Sequence, residues 1–400
     1  MKLSVIIVNY NVRHFVLQCI DSLFRAETYM KAHGLGEIEV FVFDNHSPDN
    51  SIDYLKKKFK RQQHPNLHLV AHQKNLGFGK ANNLAARRAK GEYLLFINPD
   101  TFVAEDTLAN CLLFAESHAD MGALGVRMLS DTGRYAPESK RGLPTPWTAF
   151  CKLTGLTALF PHSKRLANYY MGHLSALENN AIDIVSGAFM MVRNNRKSWF
   201  DEDYFMYGED IDLSYCLLKE GLQNYYLPTP IVHYKGESTK KSSYRYVHIF
   251  YEAMYIFFKK HYRHSTLLLS IPIKTAIVGR ALLTFVANQL RSAKKFLRPH
   301  RPVSHVRWLY LGQHRAEIEK LAWQHGLDIE IVEASESDFP NGHFEKAAHF
   351  NKHHFVIYDT DSFSFAHIIQ LMSRQPGNTR LATFSPRRRL LLTGSEAFQL

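Results

Sequence analysis

Four short runs constrain this chain more than any other feature. Residues 3–8 (LSVIIV), 38–43 (IEVFVF), 67–71 (LHLVA) and 93–97 (YLLFI) are apolar almost without interruption. Strands covered on both faces look like this, whereas a half-exposed strand alternates. Helical stripes separate them: Phe15, Cys19 and Leu23; Ile52, Leu55 and Phe59; then Ala81, Leu84 and Ala85, leading to Lys90 and Gly91. Strand, helix, strand repeated three times predicts an α/β fold built on a doubly wound, mainly parallel sheet. In such sheets ligands bind at the carboxyl ends of the strands. Here those ends read NYN (9–11), DNHSPDN (44–50), QKNLGFG (73–79) and NPD (98–100), four polar clusters expected to line one crevice.

A chain of 400 residues, 46% of them hydrophobic, holds enough apolar material for two or three folded units. Its net charge of +12 favours anionic partners: nucleotide phosphates, lipid diphosphates or an anionic membrane face. Nucleic acid is not expected, because no basic and aromatic residues interleave in a binding motif. The four cysteines, Cys19, Cys111, Cys151 and Cys216, have no C-x-x-C spacing, which excludes a zinc cluster or a disulfide framework and fits a reducing, cytoplasmic setting. The opening MKLSVIIVNYN reads as a first strand, being too short in its apolar part for a signal peptide.

Beyond residue 134, Pro137, Pro144, Pro146 and Pro161 break periodicity, predicting loops and short helices over the site as far as residue 180. Strand character returns over 181–193. DLSYCLLKEGL then reads as a helix with Leu213, Cys216 and Leu217 on one stripe and Gly221 near its end. QNYYLP is a further strand leading to IVHYKGEST. Residues 1–247 thus form the first domain.

Residues 248–297 are basic and apolar together, but Pro272, Lys274 and Arg280 interrupt the run a spanning helix needs. The expectation is an amphipathic pair in the membrane interface, or a hairpin packed on the first domain. A basic linker (298–304) precedes a small α/β module (305–400), in which Asp359 and Asp361 are read as a solvated pair at a strand end.

A carboxylate such as Asp44, closing a second parallel strand, is placed to accept a hydrogen bond from a base or ribose. It also suits an ordinary turn, since Ser47, Asp49 and Asn50 favour turns and helix starts. No G-x-G-x-x-G follows the first strand, so a dinucleotide-type pyrophosphate grip is excluded.

Taken in order, SVIIVNYN, FVFDNHSPDNS, NLGFGKANNLA, YLLFINPDTFV, VSGAFMMVR, DEDYFMYGEDIDLSYCLLKEG and IVHYKGEST resemble the family 2 glycosyltransferases, in their rhamnosyltransferase-like branch, over about residues 1–260. The resemblance implies a GT-A fold and transfer of a sugar from a nucleotide-diphosphate donor (dTDP-, UDP- or GDP-linked) with inversion, usually with Mn²⁺ or Mg²⁺. It places Asp100 on the metal, with Asn98 where the family's D-x-D has its first aspartate, and His233 as a further ligand. A hard cation bridging phosphate oxygens takes carboxylate ligands, and an imidazole suits Mn²⁺ better than Mg²⁺.

The family's E-D pair matches Glu209 and Asp210. Asp210 is then the general base and Glu209 orients the acceptor or supports the loop, although acidic residues at a helix start, Asp212 included, are also favoured by the helix dipole alone. Val8, Asn9, Tyr10, Asp44, Asn75, Gly77 and Asn98 are implied around the donor, and Gly187 would let backbone approach it closely. Lys80, Lys140 and Arg141 are candidates for phosphate or acceptor contacts on charge grounds, and Trp147 joins Arg141 on the acceptor side. The acceptor implied is a lipid-linked or cell-surface glycan, met at the inner face of the cell membrane by a peripheral enzyme. A reading of another class is an idle nucleotide-sugar-binding or assembly protein that works through the C-terminal module.

Overall fold

The computed structural model describes residues 1–234, 244–262, 306–345, 354–374, 377 and 379–400. Its first sheet begins with β1 (Leu3–Asn9), β2 (Ile38–Asp44), β3 (Leu67–Ala71) and β4 (Tyr93–Ile97), all parallel in the order β3-β2-β1-β4. Helices α1 (Arg13–Ala32), α2 (Ser51–Lys58) and α3 (Phe78–Ala86) make the crossovers. The unbroken apolar runs have a direct cause. Leu3, Val5 and Ile7 of β1 pack with Val16, Ile20 and Leu55 on one face, while Ile6 and Val8 pack with Ala81, Ala85 and Phe200 on the other.

Beyond β4 come β5 (Thr101–Val103), α4 (Thr107–Ser117) and β6 (Met121–Leu129), then the short helices α5 (Pro146–Leu153) and α6 (Leu156–Leu159). Then follow β7 (Asn180–Ile182), β8 (Phe189–Arg193), α7 (Glu209–Lys219) and β9 (Gln223–His233). The sheet continues β4-β8-β6-β9-β5, with β8 antiparallel to β4 and to β6, β6 parallel to β9, and β5 and β7 antiparallel to β9. The strand character read over residues 181–193 thus divides between two strands. β7 stops at Ile182, and the turn at Ser186 and Gly187 delivers β8 to β4.

Of residues 248–297, only those up to 262 are described. Helix α8 (Tyr244–His261) buries Ala253 and Phe257 against Ile184, Tyr204 and Ile211. Lys260 donates to Asp212 at 2.9 Å and to Asp201, and the His261 ring meets Asp212 at 2.6 Å. This part packs on the first domain; the rest of the segment and the 298–304 linker lie outside the described residues. Among those described, no helix is long and apolar enough to cross a membrane.

A second sheet is built from β10 (Arg307–Gly312), β11 (Asp328–Glu333), β12 (Phe355–Asp359), β13 (Arg380–Ser385), β14 (Leu390–Thr393) and β15 (Ala397–Gln399), in the order β11-β10-β12-β13-β14-β15. Helices α9 (Arg315–His325) and α10 (Phe365–Arg374) accompany it. This module shares a core with the first domain: Val12, Phe15, Phe102, Leu129 and Val232 pack with Leu311, Phe365, Ile369 and Met372. Arg388 grips Asp21 with two hydrogen bonds, of 2.9 and 2.6 Å, a bidentate geometry that orients as well as binds. Glu105 accepts the Phe365 and Ala366 N–H groups at 2.9 and 2.7 Å, capping α10 from the other unit.

The solvated reading of Asp359 and Asp361 needs correction. β12 is interior to its sheet, so its last residue is covered: Asp359 is fully buried and accepts from Tyr310 at 2.9 Å and His314 at 2.7 Å. Asp361 pairs with Arg25 and Arg387.

Candidate active site

The ends of β1 and β2 are tied side by side. The buried Asn9 amide donates to Asp44 Oδ1 at 2.7 Å and to Ser47 Oγ at 3.1 Å, and the Ser47 N–H closes on Asp44 Oδ2 at 3.0 Å. Asp44 is thus both a turn residue and a carboxylate presented at the strand ends. Asn9 Oδ1 is left without a hydrogen-bond partner although buried. Val8 lies buried beneath, and Tyr10 stands exposed at the rim.

Asn45 knits this end to the next. Its amide donates to Asn75 Oδ1 at 2.9 Å and to Gly77 O at 3.1 Å, and its oxygen accepts the Leu76 N–H at 2.8 Å. Reading the sequence missed Asn45; its signal was its place within the 44–50 cluster. Gly77 has φ +82°, and a Cβ there would sit 2.4 Å from Phe205 O. A side chain would therefore push away the 205 loop, whose carbonyl accepts the Phe78 N–H at 2.8 Å.

Asn98, Asp100 and His233 converge as expected, because β5 pairs with β9 and places Thr101 opposite His233. His233 Nε2 lies 3.3 Å from Asp100 Oδ1 and 3.4 Å from Asn98 Nδ2. Asp100 is 4% exposed, and the buried His233 Nδ1 has no hydrogen-bond partner. One carboxylate and one imidazole, with the Asn98 amide beside them, form a set that suits Mn²⁺ or Mg²⁺ when phosphate oxygens complete the shell. The donor set therefore fits the metal that the resemblance implies.

Asp210 lies in the first turn of α7. Its Oδ2 accepts from Arg141 and, at 3.0 Å, from the Gly187 N–H; its Oδ1 accepts the Ile211 N–H at 2.8 Å. Arg141 is fixed in turn by Val185 O at 3.2 Å. The next residue of the same turn, Ala188, accepts the Asn98 N–H at 3.0 Å. Consecutive residues of one turn therefore hold the Asp210 carboxylate and the start of the NPD segment.

Gly187 has a second service beside the one its residue type implied. Its N–H is committed to Asp210, and a Cβ there would lie 3.3 Å from Asp210 Cβ, so it makes room for the carboxylate. Lys140 is reassigned: it is buried and its Nζ holds the carbonyls of Leu174 and, at 3.0 Å, Ser175. Lys80 pairs with Glu202. Trp147 is 54% exposed, stacks on Phe150 and donates to Arg165 O at 3.1 Å.

Glu209 is the counterpart of Asp210. Burial, reinforced by the Asp210 charge and opposed by Arg141, pushes its carboxyl up to about 8, and its Oε2 is buried without a hydrogen-bond partner. Burial thus favours the neutral acid at Glu209, while the neighbouring Asp210 side chain faces the Arg141 guanidinium. The effect on stability has a definite sign. Between its ordinary value of 4.5 and about 8, the folded group holds a proton that the unfolded group has lost. Its contribution is present below that window and is lost as pH rises, by at most about 1.4 kcal/mol per pH unit. Glu209→Gln removes the titration, so thermal unfolding should show a smaller fall in Tm between pH 5 and pH 8 than in the wild type. Equal falls would contradict the assignment.

Residues 4–195 match the family model described as glycosyl transferase family 2. The chain is similar to the poly(ribitol-phosphate) beta-N-acetylglucosaminyltransferase TarS of Staphylococcus aureus, 31% identical over 141 residues, which is 35% of this chain and 23% of that protein. It is similar to the N-acetylglucosaminyl-diphospho-decaprenol L-rhamnosyltransferase of Mycobacterium tuberculosis, 27% identical over 243 residues, 57% of this chain and 76% of the relative. The match thus spans about a quarter of the length of TarS and about three quarters of the rhamnosyltransferase. Among solved structures, TarS 1–349 aligns at 21% identity with a TM-score of 0.42, covering 64% of each chain.

Proposed function

We propose that this chain, whose residues 4–195 match the model of glycosyl transferase family 2, moves a sugar, with inversion, from a nucleotide-diphosphate donor to a lipid-linked or cell-surface glycan at the cytoplasmic face of the membrane. The observation that carries the reading is the turn at Gly187 and Ala188. It holds the Asp210 carboxylate and the start of the segment that carries Asp100, which supports their reading as base and metal ligand.

In this reading Asp210 takes the proton from the acceptor hydroxyl as that oxygen attacks the anomeric carbon, from the face opposite the departing diphosphate. Arg141 and the Gly187 N–H hold Oδ2, and Oδ1, which accepts the Ile211 N–H, keeps a lone pair for the hydroxyl. Glu209, neutral beside it, adds no repelling charge. Asp100 and His233 would hold Mn²⁺ or Mg²⁺, which when bound supplies Lewis-acid neutralisation of the leaving diphosphate. Asn98, beside His233, would serve the sugar or ribose. Asn9 and Asp44 offer polar atoms to base and ribose, and Asn45, Asn75 and Gly77 fix the loop that closes that side.

The M. tuberculosis relative is named for a diphospho-decaprenol substrate, which supports a lipid-linked acceptor here. The test is release of nucleoside diphosphate from dTDP-, UDP- and GDP-sugars in Mn²⁺ or Mg²⁺: one donor class should turn over well above the others.

A further inference from the structure

From residue 139 to residue 177 the chain has no aspartate or glutamate, while Lys140, Arg141, Lys152, Lys164 and Arg165 all fall within it. The same stretch concentrates exposed apolar side chains. Trp147, Phe150, Leu159, Phe160 and Leu177 are 54%, 49%, 72%, 52% and 68% exposed. Trp147 and Phe150 stack with ring centroids 5.7 Å apart on α5, and Leu159 and Phe160 close α6. The Trp147 indole donates to Arg165 O, fastening the basic turn beside the aromatic pair. Lys164 and Arg165 are exposed and have no carboxylate partner among the described residues.

Water does not favour such a surface. Large apolar groups gathered in one region are what a folded chain covers with something else. Aromatic and aliphatic side chains rimmed by cations match one covering, the boundary between anionic headgroups and acyl chains. The absence of any acid over the whole stretch supplies the charge complementarity. Nearby, a cavity of about 900 Å³ is lined by Tyr135, Lys140, Lys152, Tyr170 and Leu174. Lys140 is next in the chain to Arg141, which holds Asp210.

We propose that α5 and α6 seat this protein on an anionic phospholipid bilayer, with Trp147, Phe150, Leu159 and Phe160 in the acyl boundary and Lys164 and Arg165 among the headgroups. This locates the membrane contact in residues 146–165. It deepens the proposed function by bringing a membrane-borne acceptor to the side of the fold where Lys140 and Arg141 lie, and in its purpose it rests on that reading.

The test is flotation of the full chain with phosphatidylcholine vesicles, with and without phosphatidylglycerol, at low salt. Wild type binds the anionic vesicles at least about tenfold more tightly, since each cation near the surface contributes roughly fivefold. The triple variant Phe150→Ser, Leu159→Ser, Phe160→Ser, altered only at exposed positions, loses at least about tenfold in that binding while its nucleoside diphosphate release in solution is unchanged. Tryptophan emission shifts to the blue on vesicle addition in the wild type and not in Trp147→Phe. The seat is overturned if the triple variant binds as well as wild type, if wild type ignores anionic vesicles, or if wild type sediments as a dimer that the triple variant breaks with vesicle binding intact. Because vesicle binding needs neither donor nor acceptor, its failure leaves the transferase reading standing. A chain that floats but turns over no donor does the opposite.

Discussion

Asp210→Asn should lower the transfer rate by about a thousandfold, within the range a positioned general base contributes, while donor affinity moves by less than about threefold. The asparagine keeps the shape of the site. Its oxygen still accepts the Gly187 N–H, so the turn that also holds Asn98 through Ala188 O stays in place. What is lost is the ability to take a proton. The substitution also leaves Arg141 facing an amide in a half-buried place, which costs stability, so Tm is measured beside the rates. Adding Arg141→Gln restores charge balance and Tm but not turnover. An Asp210→Asn protein that transfers sugar at the wild-type rate removes Asp210 as base.

Asp100→Ala should abolish stimulation by Mn²⁺ and weaken Mn²⁺ binding, measured with nucleoside diphosphate present, by at least about a hundredfold. Loss of a mere outer partner of a metal ligand costs about 10–100-fold, and Asp100 would be the one carboxylate in a set that otherwise offers an imidazole and an amide. Restoring a second charge with Asn98→Asp should tighten Mn²⁺ without raising turnover, since Asn98 is read as serving the sugar or ribose. Unchanged metal dependence in Asp100→Ala would take the metal away from the NPD segment.

The main layers of the first domain were legible because burial on two faces leaves a mark in every residue. Val5 and Ile7 pack on one side of β1, Ile6 and Val8 on the other, and no polar residue intervenes. The convergence of Asn98, Asp100 and His233 was legible only through the resemblance, since the β5–β9 pairing that joins them has no local signal. β6 went unread for a physical reason. Its Gly122 and Gly125 lower strand propensity but are needed for close approach, as a Cβ on Gly125 would come within 2.9 Å of Val185 Cγ1.

The contacts that define the site's electrostatics were the least legible. Arg141 reaches Asp210 across 69 residues of sequence, and its charge alone named no partner. The reading of Gly187 from its type did not reach the hydrogen bond that its N–H gives Asp210. The union of the C-terminal module with the first domain depends on pairs such as Arg388 and Asp21, 367 residues apart, which no periodicity encodes.

The most direct measurement of the central claim is nucleoside diphosphate release by the full chain from its best dTDP-, UDP- or GDP-sugar, followed in Mn²⁺, after chelation, and after Mn²⁺ is restored. The account predicts release that stops with chelator and returns with the metal. Absence of release from every donor in the presence of metal and lipid-linked acceptors, or release indifferent to chelation, would contradict it.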